Sequence, residues 1–143
     1  MQPLDLSVKT LNSVITDIQV RYADLDTLGH VNNAAYLSYF ELGRIEYLRN
    51  RLGHFDLEDI NFVIARIEID FKKSILFHYP VSLRTSVERV GRTSLTFVQE
   101  LFNRGNSEIF STGKVTVVFI DHNRKPVEVP KILKTESQTG VET

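Results

Sequence analysis

From Val14 to Tyr22 the chain alternates, with Ile18, Val20 and Tyr22 on one side and Asp17, Gln19 and Arg21 on the other. That period of two predicts a strand with one buried face. The pattern changes at Asn32. The stretch NNAAYLSYFELGRIEYLRNRLG runs without proline from asparagines suited to an N-cap to Gly53, a fitting C-terminal stop, and predicts one long helix of about twenty residues. At about 100° per residue, Tyr36, Phe40, Gly43 and Tyr47 fall together, and Leu37, Ile45, Leu48 and Leu52 widen the stripe. So wide an apolar arc predicts a helix enclosed by another element. Gly43 costs about 1 kcal/mol relative to alanine in a helix interior, which is tolerable where the missing side chain lets a sheet approach closely. Glu41 and Arg44, spaced i, i+3, project inside the arc and are expected to pair rather than bury a lone charge. A direct catalytic role is the alternative for them.

Beyond the helix the signal is strand. Val63, Ala65, Ile67, Ile69 and Phe71 alternate with Arg66, Glu68, Asp70 and Lys72, and Val81, Leu83, Thr85 and Val87 with Ser82, Arg84, Ser86 and Glu88. Both segments predict half-buried strands. GRTS at Gly91 to Ser94 is a tight connection into Leu95, Phe97, Gln99 and Leu101, and NRGN at Asn103 to Asn106 turns the chain into a strand from Glu108 to Ile120. Successive hairpins predict an antiparallel meander. Gly113 inside the last strand marks a bulge or a close backbone approach. The order of one strand, one enclosed helix and four strands is that of an α+β domain whose five-stranded antiparallel sheet wraps around the helix. With no repeat and no linker, a single domain over residues 1–143 is expected, with a core at about 14–130 and a polar tail, 134–143, that is disordered.

Composition supports one domain: 143 residues, 42% hydrophobic, can bury a respectable core. Seventeen Lys and Arg against eighteen Asp and Glu leave a net charge of -1, so no global basic field points to nucleic acid or an anionic membrane. An anionic ligand would have to be met by a local patch. The N-terminal MQPLDLSVKT lacks an apolar region of useful length, and no run approaches the roughly 18 to 20 apolar residues of a membrane span, so a soluble, unexported, cytoplasmic protein is expected. The absence of cysteine excludes disulfides, zinc thiolates and a cysteine nucleophile, and the four histidines show no paired spacing such as HxxxH, so neither a metal nor a cofactor is expected.

Polar chemistry gathers at the strand-to-helix junction, RYADLDTLGHVNN, Arg21 to Asn33. Turn and cap requirements alone account for many such residues. An active site accounts for them as well: a carboxylate can attack a carbonyl or activate water, and the first N–H groups of a helix, unpaired within it, suit an oxyanion. Asp24, two residues before Asp26, is expected to be structural, and Gly29 to supply a backbone conformation other residues resist.

The stretch DLDTLGHVNNAAYLSYFELGRIEYL resembles the signature of hotdog-fold acyl-CoA thioesterases of the 4-hydroxybenzoyl-CoA thioesterase type, and the likeness extends through IEIDFKKSILFHYPVSLRTSVERVGRTSLTF to cover roughly residues 14 to 130. The resemblance implies a thioester hydrolase whose subunits join sheets edge to edge, as a homodimer or homotetramer, with acyl-CoA sites between them. It assigns Asp26 as the acting carboxylate, nucleophile or general base, and the Asn33 backbone N–H as oxyanion donor, with His30 as a tuning or contacting residue. It sets Arg92 where similar enzymes meet the nucleotide, with Thr93 and Ser94 as further donors. Lys72, Lys73, Arg124 and Lys125 are lesser candidates for phosphate contact, and Tyr36, Phe40 and Phe62 for the lining of an acyl pocket, although aromatics at these spacings also serve as core. The substrate is expected to be an acyl-CoA, with an acyl-carrier-protein thioester as a variant. Two other readings stand beside hydrolysis: a noncatalytic acyl-CoA-binding protein, and a hotdog dehydratase, which usually carries an HFP-like segment where this chain has Val31 and Asn32 after His30.

Overall fold

The alternation over Val14–Tyr22 becomes strand only as far as Ile18. In the computed structural model, which describes residues 12–53 and 60–135, β1 (Ser13–Ile18) pairs with β3 (Val81–Val90), and its last pair is Ile18 with Val81. Pro80 ends the partner strand there, so the chain turns through a short 3₁₀ segment, Tyr22–Asp24, instead of continuing as strand. α1 (Asn33–Leu52) follows, then β2 (Phe62–Phe71), β4 (Ser94–Asn103) and β5 (Ile109–Phe119). The five strands form one antiparallel sheet in the order β1-β3-β4-β5-β2. Only β3, β4 and β5 make a meander. β2 leaves that sequence and pairs with β5, which puts β1 and β2 at the two edges. Most of the tail, residues 136–143, lies outside the described residues, as does His54.

The sheet closes over α1 through two clusters. Tyr36, Tyr39 and Phe40 from the first half of the helix pack with Leu83, Leu101 and Phe110, while Tyr47 and Leu48 from the second half pack with Leu95, Phe97, Val115 and Val117. Burial of each such side chain contributes about 1.5–3 kcal/mol. Gly43 is what allows the approach: a Cβ there would stand 2.7 Å from Thr85 Oγ1 and 2.9 Å from Gln99 Nε2. Gly113 marks a close approach, not a bulge. Its pairing with Ile69 is regular, and an added Cβ would lie 3.3 Å from Phe40 Cζ.

Two strands depart from the half-buried expectation in opposite directions. On central β3 every residue from Val81 to Val87 is buried, Ser82, Arg84 and Ser86 included. Arg84 reconciles its charge with burial by bonding Glu100 at 3.0 Å beneath the Phe102 ring. Edge strand β2 is the reverse: Val63, Ile64, Ile67 and Phe71 are all 40% or more exposed, and the pairing with β5 slips between Ile64 and Arg66. A long apolar edge with unpaired backbone groups is a template for a further strand.

Candidate active site

The loop between the 3₁₀ turn and α1 is built on Asp24. Its buried carboxylate accepts the Tyr39 hydroxyl at 2.6 Å, the Arg21 backbone N–H at 3.0 Å and the Arg21 guanidinium at 2.9 Å, and its carbonyl accepts both the backbone and side-chain N–H groups of Asn32. Burial pushes the Asp24 carboxyl up, but the donations from Tyr39 and Arg21 outweigh it and hold the group below the usual carboxylate range. Tyr39 is displaced upward, first by burial and then by its bond to the Asp24 charge. The expectation of a structural Asp24 agrees with this geometry.

Asp26 is exposed and divides its work between two oxygens. Oδ1 accepts the backbone N–H groups of Leu28 at 2.9 Å and His30 at 3.1 Å, closing a turn that Gly29 completes at φ +84. Oδ2 accepts nothing from the described residues. The turn role and the chemical role therefore need not compete: one oxygen fixes the carboxylate and the other remains available.

Asn32, not Asn33, caps the helix. Its side-chain oxygen accepts the Ala35 N–H at 3.0 Å, so Asn33 becomes the first helical residue. The Asn33 N–H consequently has no intrahelical acceptor and carries the positive end of the helix dipole. A cavity of about 230 Å³ collects Asp26, His30, Asn33 and Tyr36 with Lys72 and Lys73, and Val31, Phe71 and Ser74 complete its wall. The His30 imidazole bonds to nothing among the described residues. Tyr36 is buried with its ring edge-on to Phe71 at 4.9 Å, and Lys73 is held by Glu108 at 2.7 Å. That Phe71 lines this cavity was not readable, because strand alternation placed it with the apolar face of β2.

The remaining predicted contacts are elsewhere in the protomer. Ser94 pairs with Val118, next to the pair of Phe62 with Phe119, whereas the cavity adjoins the other end of β2, where Phe71 pairs with Ser111. The GRTS connection carrying Arg92, Thr93 and Ser94 is thus about 30 Å away, the length of β2 at roughly 3.3 Å per residue. Arg124 and Lys125, in the turn after β5, are at that same far end. Phe40 is 1% exposed and belongs to the core, and Phe62 lines a different cavity. Glu41 and Arg44 do not form the expected ion pair; Arg44 donates to Gln99 Oε1 at 3.2 Å instead.

A five-stranded antiparallel sheet around one long helix is the architecture of the hotdog-fold thioesterases. The chain belongs to the thioesterase-like superfamily, whose family model matches residues 20–136. An acyl-CoA thioesterase, YbgC, from Haemophilus influenzae is 30% identical over 122 residues, covering 82% of this chain and 88% of that protein. Among solved structures, a Thermus thermophilus thioesterase complexed with coenzyme A and Zn is 35% identical with a TM-score of 0.74, covering 83% of this chain and 92% of its own. A DHNA-CoA thioesterase from Staphylococcus aureus is 30% identical with a TM-score of 0.73, covering 81% and 80%. Among the described residues no group of His, Asp and Glu is arranged to hold a metal ion, and no helix is long and apolar enough to cross a membrane.

Proposed function

We propose that the protein hydrolyses an acyl-CoA thioester to the free acid and CoA. The observation that carries the reading is the pairing of Asp26, one carboxylate oxygen fixed and the other open, with the unpaired Asn33 N–H across one cavity. The thioester oxygen rests on the Asn33 N–H, which stabilises the negative charge that develops there. Asp26 Oδ2 either adds to the carbonyl carbon, expelling the CoA thiolate and leaving an anhydride that water opens, or takes a proton from the water that adds. Lys72 lies at the cavity wall where the charged part of a CoA ester would enter.

The protein acts, in this reading, as an oligomer built on β2. Antiparallel pairing of two β2 edges covers the exposed Val63, Ile67 and Phe71 and sets the Phe62 end of one subunit beside the Phe71 end of the other. Arg92, remote from the cavity of its own protomer, is thereby brought to the cavity of its neighbour, together with Arg124 and Lys125. The test is a panel of aliphatic and aromatic acyl-CoA esters with thiol release followed against concentration. Saturable release by the parent protein, lost in Asp26→Asn, is expected; saturable binding with no thiol released would replace hydrolysis by a binding role.

A further inference from the structure

A second cavity, also about 230 Å³, lies where the middle of α1 faces the start of β2. Its walls are Ile45, Ile60, Phe62 and Ile64, with Glu41, Arg44 and Asn61 as the polar members. Arg44 is 5% exposed, yet its guanidinium has only a neutral partner, the Gln99 amide oxygen at 3.2 Å, and its Nε–H is buried with no acceptor. Gln99 Nε2 donates to Phe40 O and Thr85 Oγ1, which fixes its Oε1 toward Arg44 as a neutral acceptor. Glu41 is exposed and forms no ion pair with Arg44.

Arg44 is a buried cation in the wall of a cavity, hydrogen-bonded only to a neutral amide, and Glu41 acts on it through its charge without an ion pair, so the guanidinium can take a carboxylate directly. We propose that this cavity binds a carboxylate carried on a small apolar body, with the carboxylate on Arg44 and the body against Ile45, Phe62 and Ile64. The cavity is smaller than the roughly 300–1,000 Å³ of sites for drug-sized ligands, which suits a short or medium organic acid. Such a carboxylate has two sources. One is a free acid, including the product of hydrolysis. The other, which rests on the thioester hydrolase reading, is the distal carboxylate of a dicarboxylic acyl chain, since antiparallel β2 pairing brings this cavity beside the reacting end of the neighbouring subunit.

The experiment uses the full-length protein, Asp26→Asn, Arg44→Met and the cavity-filling Ile45→Phe, each checked for cooperative melting. Octanoate binding is measured by calorimetry, and kcat/KM is compared for hexanoyl-CoA and adipoyl-CoA. A free-acid site predicts octanoate binding that persists in Asp26→Asn and weakens at least tenfold in both Arg44→Met and Ile45→Phe. A distal acyl site predicts no octanoate binding but at least tenfold preference for adipoyl-CoA, abolished by both cavity variants while hexanoyl-CoA turnover is kept. The proposal is overturned if octanoate does not bind and adipoyl-CoA is not preferred, if octanoate binding is lost in Asp26→Asn, or if binding and preference are indifferent to the cavity variants. If no CoA ester is hydrolysed, the hydrolase reading fails while the octanoate arm still decides the cavity.

Discussion

Two carboxylates two residues apart are treated by the fold in opposite ways. On the Asp24 side the carboxylate is buried although Arg21 and Tyr22 beside it are exposed, and Tyr39 and Arg21 supply its hydrogen bonds. On the Asp26 side the loop is open, and only the oxygen that closes the turn is occupied. A fully satisfied carboxylate is a poor nucleophile or base, because each donor it has must be given up before it can act. A carboxylate with one fixed and one open oxygen is aimed without being spent. In the proposed reading this contrast gives holding to one aspartate and chemistry to the other, and it can be broken at either end.

The largest effect is expected at Asp26. Asp26→Asn keeps an oxygen to accept the Leu28 and His30 N–H groups but removes the open carboxylate oxygen, so kcat should fall by about 100-fold or more with the melting temperature nearly unchanged. A folded Asp26→Asn at near-parent turnover would return both aspartates to the turn and move the search for a carboxylate to Glu41. Asp24→Asn should do the converse. Losing charge-assisted bonds should cost about 2 kcal/mol of stability, and a loosened Asp26 loop should lower kcat by only about tenfold. Its pH signature is distinctive. Because the folded carboxyl is held below its unfolded value near 3.9, the stability it confers is present above that value and lost as pH falls through the folded one. Chemical denaturation of the parent from pH 6 to pH 2 should show that acid loss, and Asp24→Asn should flatten it. The smallest effects separate Asn32 from Asn33. Asn32→Ala removes the cap and should cost about 1 kcal/mol. Asn33→Ala keeps both the cap and the backbone N–H, so turnover should stay within about tenfold of the parent, short of the 100-fold or more for a lost oxyanion donor.

Much of this was legible in the chain because it is local. The helix boundaries, the close approach at Gly43 and the Asp26 turn all follow from residues adjacent in sequence or on one helix face. What was not legible depends on strands meeting across the sheet. Alternation cannot tell a central strand from an edge, so β3 with its buried Arg84 and β2 with its uncovered Ile67 carry the same half-buried pattern. Pairing of β2 with β5 instead of β3 is likewise a long-range choice, and it decides which end of the sheet holds Arg92. Which of two adjacent asparagines caps the helix was not legible either, since both suit the position and Asn32 takes it. Spacing likewise suggested that Arg44 would pair with Glu41, when its bond goes to a glutamine 55 positions away.

The placement of the GRTS connection at the far end of the sheet from Asp26 makes a prediction in the language of genetics. If each site takes its carboxylate from one subunit and its arginine from the next, two inactive proteins contain between them the parts of a whole one. Asp26→Asn subunits mixed with subunits carrying a disabling change at Arg92 would form mixed pairs in which one site inherits both lesions and the other inherits neither. Random exchange would restore about a quarter of the parental sites, half of the pairs being mixed and half of their sites intact. Two defects confined to a single protomer's site would restore none, so complementation would reveal the geometry of assembly without a structure of it.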